Sequence, residues 1–196
     1  SFIHEASNGR FRFGVGVSHG PALKARGLKG GRPLSDIRSF VSEFKEAPRV
    51  GELPPIILAA MRKKMIALAG EIGNGMVFAN AARSHMQESL DVLSASTKRD
   101  INFFIGNMIP TCISNDVEAA KAVNRKTLSS YAMLPNYRNY WKEAGYVEEM
   151  EGIEKAIEAK EFERIPYFLT DTWLQDTTLF GNPTSVRDGV EAWFDS

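Results

Sequence analysis

The chain has 196 residues, 43% of them hydrophobic, with 24 basic residues against 24 acidic ones and a single cysteine. That length and apolar content suffice to bury one sizeable core, while the balanced charge argues against the broad electropositive surface of a nucleic-acid binder and leaves a small molecule or a protein as the partner. Cys112 alone excludes an intramolecular disulfide framework and a multi-cysteine zinc site, so a reducing, cytoplasmic setting is expected; the leading SFIHEASNGR is too polar for a signal peptide, and no apolar run nears the roughly 20 residues of a membrane helix, so no membrane partner is expected either.

Residues 11–17 are apolar or aromatic apart from Arg12 and read as a buried strand, with Gly14 and Gly16 free of side-chain bulk. The SHGPALKARGLKGGRP that follows reads as a long loop. Over 34–47, Leu34, Ile37, Phe40, Val41 and Phe44 recur at helical spacing. Residues 48–55 break that helix and lead into a continuous apolar run at 56–60, of strand length. In MRKKMIALAGEIG the residues Met61, Met65, Leu68, Ala69 and Ile72 predict a helix, which Gly73-Asn74-Gly75 ends before the short apolar run 76–79.

Residues 84–93 give another amphipathic turn sequence, 101–113 a long apolar segment interrupted at Pro110, and 115–133 a helix whose start carries Asp116, suited to the positive end of the helix dipole. Residues 134–166 are dense in aromatics and then in charge, without a strand. A short strand edge at 179–180 and a closing helix over 183–194, capped by Asn182, complete the chain. Short buried strands alternating with helices predict an α/β fold, a parallel sheet covered by helices. GVGVSHG lacks the third glycine of a dinucleotide fingerprint, and a basic loop follows it, so a nicotinamide-binding fold is the weaker reading.

Three stretches in this order, NGRFRFGVGVSH at 8–19, PPIILAAMRKKMIALAGEIGNGMVFAN at 54–80 and IPTCISNDVEAAKAVNRKTLSSYAMLPNYRNYWKEAGY at 109–146, resemble the bacterial luciferase-like monooxygenase superfamily, especially its deazaflavin-dependent oxidoreductases. The resemblance implies TIM-barrel (β/α) repeats in a single luciferase-like domain over 1–196, with 134–166 as a helical insertion. A complete barrel takes about 250 residues, so it also implies an incomplete barrel running from the family's fourth strand to before its eighth, as a fragment or as a shortened protein completed by a partner. The implied activity is hydride transfer between a reduced deazaflavin coenzyme, or alternatively flavin mononucleotide (FMN), and a small organic substrate, inactive alone if the chain is truncated. Open strand edges imply association into a homo-oligomer. The alternative is a non-catalytic fragment or scaffold subunit that binds a protein partner through the aromatic helical segment.

Barrel active sites lie at the C-terminal ends of the strands, which by the resemblance puts the SHG loop there. Gly16 and Gly20 would admit a ligand close to the backbone, Gly16 and Ser18 would touch the cofactor, and His19 is the candidate catalytic group, as proton donor or substrate holder; the competing reading makes His19 a loop cap. The family holds its cofactor phosphate where Ala60-Met61-Arg62-Lys63 passes from strand to helix. The glycines usual there are absent, so charge from Arg62 or Lys63 would replace the backbone cradle, against the plainer reading of a solvated basic helix start. Gly75 and Asn80 complete the cofactor set, with Asn80 facing the site and Asn74-Gly75 otherwise a tight turn. Tyr131, Tyr137, Tyr140, Trp141 and Tyr146 either cover a flat ring or form core or interface. His4 and His85 lack partners at ligand spacing, so no metal site is expected, and the glutamates between 148 and 163 read as a solvated face.

Overall fold

The structure is a computed structural model that describes residues 2–48 and 51–196; the break read over 48–55 falls partly on Arg49 and Val50, which with Ser1 lie outside the described residues. In chain order the elements are α1 (Phe2–Ala6), β1 (Phe13–Val15), α2 (Gly20–Ala25), α3 (Pro33–Glu46), β2 (Ile56–Ala59), α4 (Lys63–Ile72), β3 (Gly75–Ala79), α5 (Met86–Leu90), α6 (Ala95–Arg99), β4 (Phe104–Met108), β5 (Thr111–Ile113), α7 (Val117–Ala132), α8 (Pro135–Glu143), α9 (Val147–Glu158), α10 (Ile165–Phe168), α11 (Asp171–Thr177), β6 (Leu179–Gly181) and α12 (Pro183–Phe194). The strands form two open sheets, ordered β1-β2-β3-β4 and β5-β6, and β1 to β2, β2 to β3 and β5 to β6 pair in parallel. This is the α/β architecture expected, with its strands not closed into a barrel. Two compact units share the chain: residues up to 79 with 89–107, and residues 80–88 with 108–196.

In the first unit β2 is the central apolar run, and Ile56, Ile57 and Leu58 are all buried because the strand is covered on both faces. Its register sets Val15 beside Leu58 and Ala59 beside Val77. Helix α4 buries Ile66, Leu68 and Ala69, and α3 buries Ile37 and Val41, which is the face the sequence spacing marks. Arg38 of α3 donates two 2.6 Å hydrogen bonds to the Glu71 carboxylate of α4, and Lys45 Nζ donates to the Ile72 carbonyl at 2.8 Å, at the negative end of α4. Asn74 is more than a turn residue: its Oδ1 accepts from the Ile56 amide at 3.0 Å and ties the end of α4 to the start of β2.

Four expectations are corrected here. The strand read at 11–17 is confined to Phe13–Val15 and is not buried: β1 lies at the sheet edge with Gly14 exposed, and Phe13 half-buried against the Phe44 ring at 4.9 Å. The long loop after it contains α2, started by Pro21 in the first turn and stopped by Gly27 at φ +68°. Helix α4 begins at Lys63 rather than Met61, since Arg62 is extended at φ −114°, ψ 154°. The apolar segment 101–113 is two strands, β4 and β5, which belong to different sheets.

In the second unit α7 lies against β5 and β6, Asn124 Nδ2 donating to the Leu179 carbonyl at 3.2 Å, and Asp116 caps α7 by accepting from the Ala119 amide at 3.0 Å. Segment 134–166 is helical. Its Tyr137, Tyr140 and Trp141 are buried, whereas Tyr146 is half-buried and Phe162 exposed; the Trp141 indole meets that of Trp173, in α11, edge to face at 4.8 Å. Helix α9 buries Met150, Ile153 and Ala156 and turns most of its glutamates outward. Helix α12 runs over Pro183–Phe194 with Asn182 Oδ1 accepting from the Ser185 amide, as the sequence predicts.

Candidate functional site

Parallel pairing of β1 with β2 puts the C-terminal ends of both strands at the same edge of the first unit's sheet. Gly16 follows β1 there, and a Cβ on it would sit 2.9 Å from the Ala59 Cβ, so glycine is required by the approach of the two strand ends. Gly16 and Ser18 also line a groove of about 630 Å³ walled by β1, α2 and α3, apolar apart from Ser18, Lys29 and Asp36. His19 is the N-cap residue of α2; its side chain makes no cap hydrogen bond, and its carbonyl accepts from the Leu23 amide at 3.0 Å. Nothing lies within 4 Å of a Cβ built on Gly20.

At the end of β2, Ala60 is buried and its amide donates to the Val77 carbonyl at 3.0 Å. Half-buried Met61 and exposed Arg62 and Lys63 carry the chain into α4. Arg62 is the N-cap residue and supplies no side-chain cap, the first turn holds no acidic residue, and Lys63 and Lys64 open the helix. The first amides of a helix have no partner within it, and with the dipole and three adjacent cations they favour an anion over the carboxylate that ordinarily occupies such a start.

Gly75 is placed elsewhere. It opens β3 beside Ile57, at the end of the strand opposite Ala79, and a Cβ on it would lie 2.4 Å from the Phe104 carbonyl oxygen and 2.9 Å from Ile57 Cδ1. That glycine exists for close packing of β4 on β3.

Asn80, which follows the last residue of β3, belongs to the second unit. Its backbone is left-handed, φ +59°, a conformation that costs a side-chain-bearing residue energy. Both of its backbone groups are engaged: the amide donates to the Met108 carbonyl at 3.0 Å, and the carbonyl accepts from Trp141 Nε1 at 3.0 Å. The residue is 4% exposed, and its Nδ2 has no hydrogen-bond partner among the described residues. A buried, unsatisfied donor at the end of a strand is an exception that calls for a reason.

The residues after Asn80 are clamped by side chains from distant parts of the chain. The Ala82 amide donates to the Tyr140 hydroxyl at 3.1 Å. The Ser84 amide and hydroxyl donate to the two carboxylate oxygens of Asp176 at 2.8 and 2.7 Å, and the Tyr146 hydroxyl donates to the same carboxylate at 2.8 Å. Burial, then the Asp176 carboxylate, push the Tyr146 phenol well above its ordinary range, which keeps it a donor. His85 lies with its ring edge-on to Tyr140 and its Nδ1 3.4 Å from Glu88. Sequence reasoning missed Ser84 and Asp176 because their partnership spans 92 residues; the sole local trace was an aspartate set among Trp173, Leu174 and Leu179. Among the described residues no group of three or more His, Cys, Asp or Glu side chains is arranged to hold a metal, and no helix is long and apolar enough to cross a membrane.

Residues 30–196 match the model of a family described as luciferase-like monooxygenase. The fold is similar to that of the coenzyme F420 dependent tetrahydromethanopterin reductase from Methanopyrus kandleri, with a TM-score of 0.72 and 16% sequence identity over 96% of this chain and 66% of the reductase chain. At that identity the likeness is one of fold, and the chain spans 66% of the length of the reductase. Among curated protein sequences none matches it.

Proposed function

The chain belongs to the luciferase-like monooxygenase family, and on that premise we propose that it serves an oxidoreductase in which a deazaflavin coenzyme, or alternatively FMN, exchanges hydride with a small organic substrate. The observation that carries this reading is the start of α4, where a basic, uncapped first turn stands at the C-terminal edge of a parallel sheet. The residues present fit a phosphate-bearing ring cofactor. When bound, such a cofactor supplies the hydride chemistry, and the protein's part is to bind, orient and hand over protons.

In this reading the Ala60-Met61 backbone and the Arg62 and Lys63 side chains hold the anionic tail. Gly16 keeps the end of β1 low enough for a ligand to pass, and Ser18 supplies a hydroxyl beside it. His19 is the proton donor or substrate holder, and Asn80, which falls in the second unit, is given no part in this set. Gly75 takes no part. The alternative of a scaffold that docks a protein through the aromatic segment is disfavoured, because Tyr137, Tyr140 and Trp141 are buried and offer no such surface.

Titration of the purified chain with oxidised deazaflavin coenzyme and, in parallel, FMN tests the proposal. Saturable binding of one of them, weakened severalfold by Arg62→Ala, is the expected result. Absence of binding to both, or binding indifferent to Arg62→Ala, would overturn respectively the cofactor reading and the assignment of the α4 start.

A further inference from the structure

Helix α10 is a single turn, Ile165–Phe168, packed on α9 along one flank and on α7 along the other. At about 100° per residue, a turn whose first residue points inward sends its second and fourth to opposite flanks and its third to the crest. The structure follows this rule. Ile165 is buried, Pro166 lines a hollow of about 300 Å³ beside α7, and Phe168 lines a groove of about 570 Å³ beside α9. Tyr167 stands between them, 83% exposed, and its side chain makes no hydrogen bond or ring contact among the described residues.

The groove beside this crest has room for such a side chain. Along α9 it is lined by Gly152, Ala156 and Ala159, which share one face of the helix. Phe168 forms the opposite wall, so close that a Cβ on Gly152 would lie 2.3 Å from its ring, and α10 is thereby held tight against α9. The rim is acidic. Glu148 and Glu151 are exposed and neither is in an ion pair among the described residues; of the two cations there, Arg164 is held by Glu161, which leaves Lys155 against two carboxylates. On the far side of the crest the sign reverses: Lys126 of α7 is exposed and in no ion pair among the described residues, next to Arg125, which Asp171 holds.

We infer that this face is an isologous contact between two copies of the chain, in which Tyr167 of each copy enters the groove between α9 and α10 of the other. The ring fills the apolar part of the groove and the phenol donates to a rim carboxylate. One twofold axis, running along α10 between crest and groove, carries the crest of each copy onto the groove of the other. The same rotation lays the Lys126 flank of each copy over the Glu148 and Glu151 side of its mate, so knob, hole and both signs of charge are matched twice. A different partner would have to supply that complement, whereas this chain already presents it. An aromatic anchor in a pocket carries most of the energy of such a contact, and rim charges select the pairing. The face lies wholly within the second unit, and the inference is independent of the cofactor reading.

Sedimentation equilibrium of the purified chain across the micromolar range tests it, with a dimer as the expected species. Tyr167→Ala, at an exposed position where folding is not at stake, is expected to raise the dissociation constant about thirtyfold, as for a central aromatic anchor. Ala159→Trp fills the groove from its other wall and is expected to weaken the dimer as well. Lys126→Glu and Glu151→Lys should each weaken it severalfold, and the double variant should return to within about twofold of the unmutated chain, because the swapped charges again face each other. A chain that stays monomeric, a dimer indifferent to Tyr167→Ala, or charge reversals whose losses simply add would overturn the inference.

Discussion

Trp141 Nε1 donates to the Asn80 carbonyl at 3.0 Å, joining an indole at the centre of the second unit's core to the residue on which β3 ends. The indole is thereby satisfied without water, and the strand's last turn of backbone is fixed by a side chain 61 positions later.

Trp141→Phe keeps a ring against Trp173 but removes the donor, so the buried Asn80 carbonyl loses its partner. The expected cost is about 1–3 kcal/mol in a urea unfolding experiment. A smaller loss, under about 0.5 kcal/mol, would mean that the carbonyl finds another donor.

Asn80 itself separates backbone from side chain. Glycine accepts φ +59° without strain and alanine does not, so Asn80→Gly is expected to be more stable than Asn80→Ala by about 1 kcal/mol. Denaturation midpoints of the two variants side by side decide it, and the opposite order would show that the left-handed geometry is relaxed when the amide is removed.

Two glycines of the first unit are predicted to behave oppositely. Gly75→Ala drives a methyl into the Phe104 carbonyl oxygen and Ile57, and overpacking of that kind costs about 1–3 kcal/mol or more. Around a Cβ on Gly14 nothing lies within 4 Å, so Gly14→Ala is expected to be neutral or to stabilise by up to about 1 kcal/mol through a less flexible unfolded chain. Thermal melts followed by far-ultraviolet circular dichroism would show one variant shifted down and the other not.

Acid sensitivity is expected at α9. Hydrogen bonds from Lys142 at 2.6 Å and Arg138 at 3.2 Å hold the Glu154 carboxyl below its ordinary value of 4.5. A carboxylate with a lowered folded pKa contributes stability that is present above 4.5 and is lost as the pH falls through the folded value. Glu154→Gln should therefore reduce stability at pH 7 by no more than about 1 kcal/mol, given partial solvent screening, and flatten the fall in stability between pH 4.5 and the folded value. Parallel unfolding curves for the two proteins across that range would count against it.

What the sequence made legible was local or strongly patterned. Helix α12 was readable to the residue because Asn182 and Pro183 write its start in adjacent positions, and the order β2, α4, β3 followed from unbroken apolar runs around one amphipathic helix. Helix α2 was hidden because its residues lie among glycines and prolines that usually mark loops, and the burial of β1 was overread because an edge strand and a central strand can share one composition. Gly75 shows the deeper difficulty: a glycine needed for a ligand and a glycine needed for a neighbouring strand look the same until the neighbour, Phe104, is known. The clamp of Asp176 on Ser84 leaves in the sequence no more than an aspartate among apolar neighbours, because its partner lies 92 residues away.

The division of the chain carries one further consequence. All three tryptophans and all five tyrosines lie between residues 131 and 193, within the second unit, while the large aromatic residues of the first unit are phenylalanines. The tyrosine and tryptophan bands of absorption and emission therefore come from the second unit alone, and the first adds only the weak, shorter-wavelength bands of phenylalanine. A melt followed by tryptophan emission reads the packing of Trp141 on Trp173, whereas the amide signal in the far ultraviolet sums both units. Laying the two curves over one another measures directly whether the units unfold as a single cooperative body or in succession, with no label and no mutation.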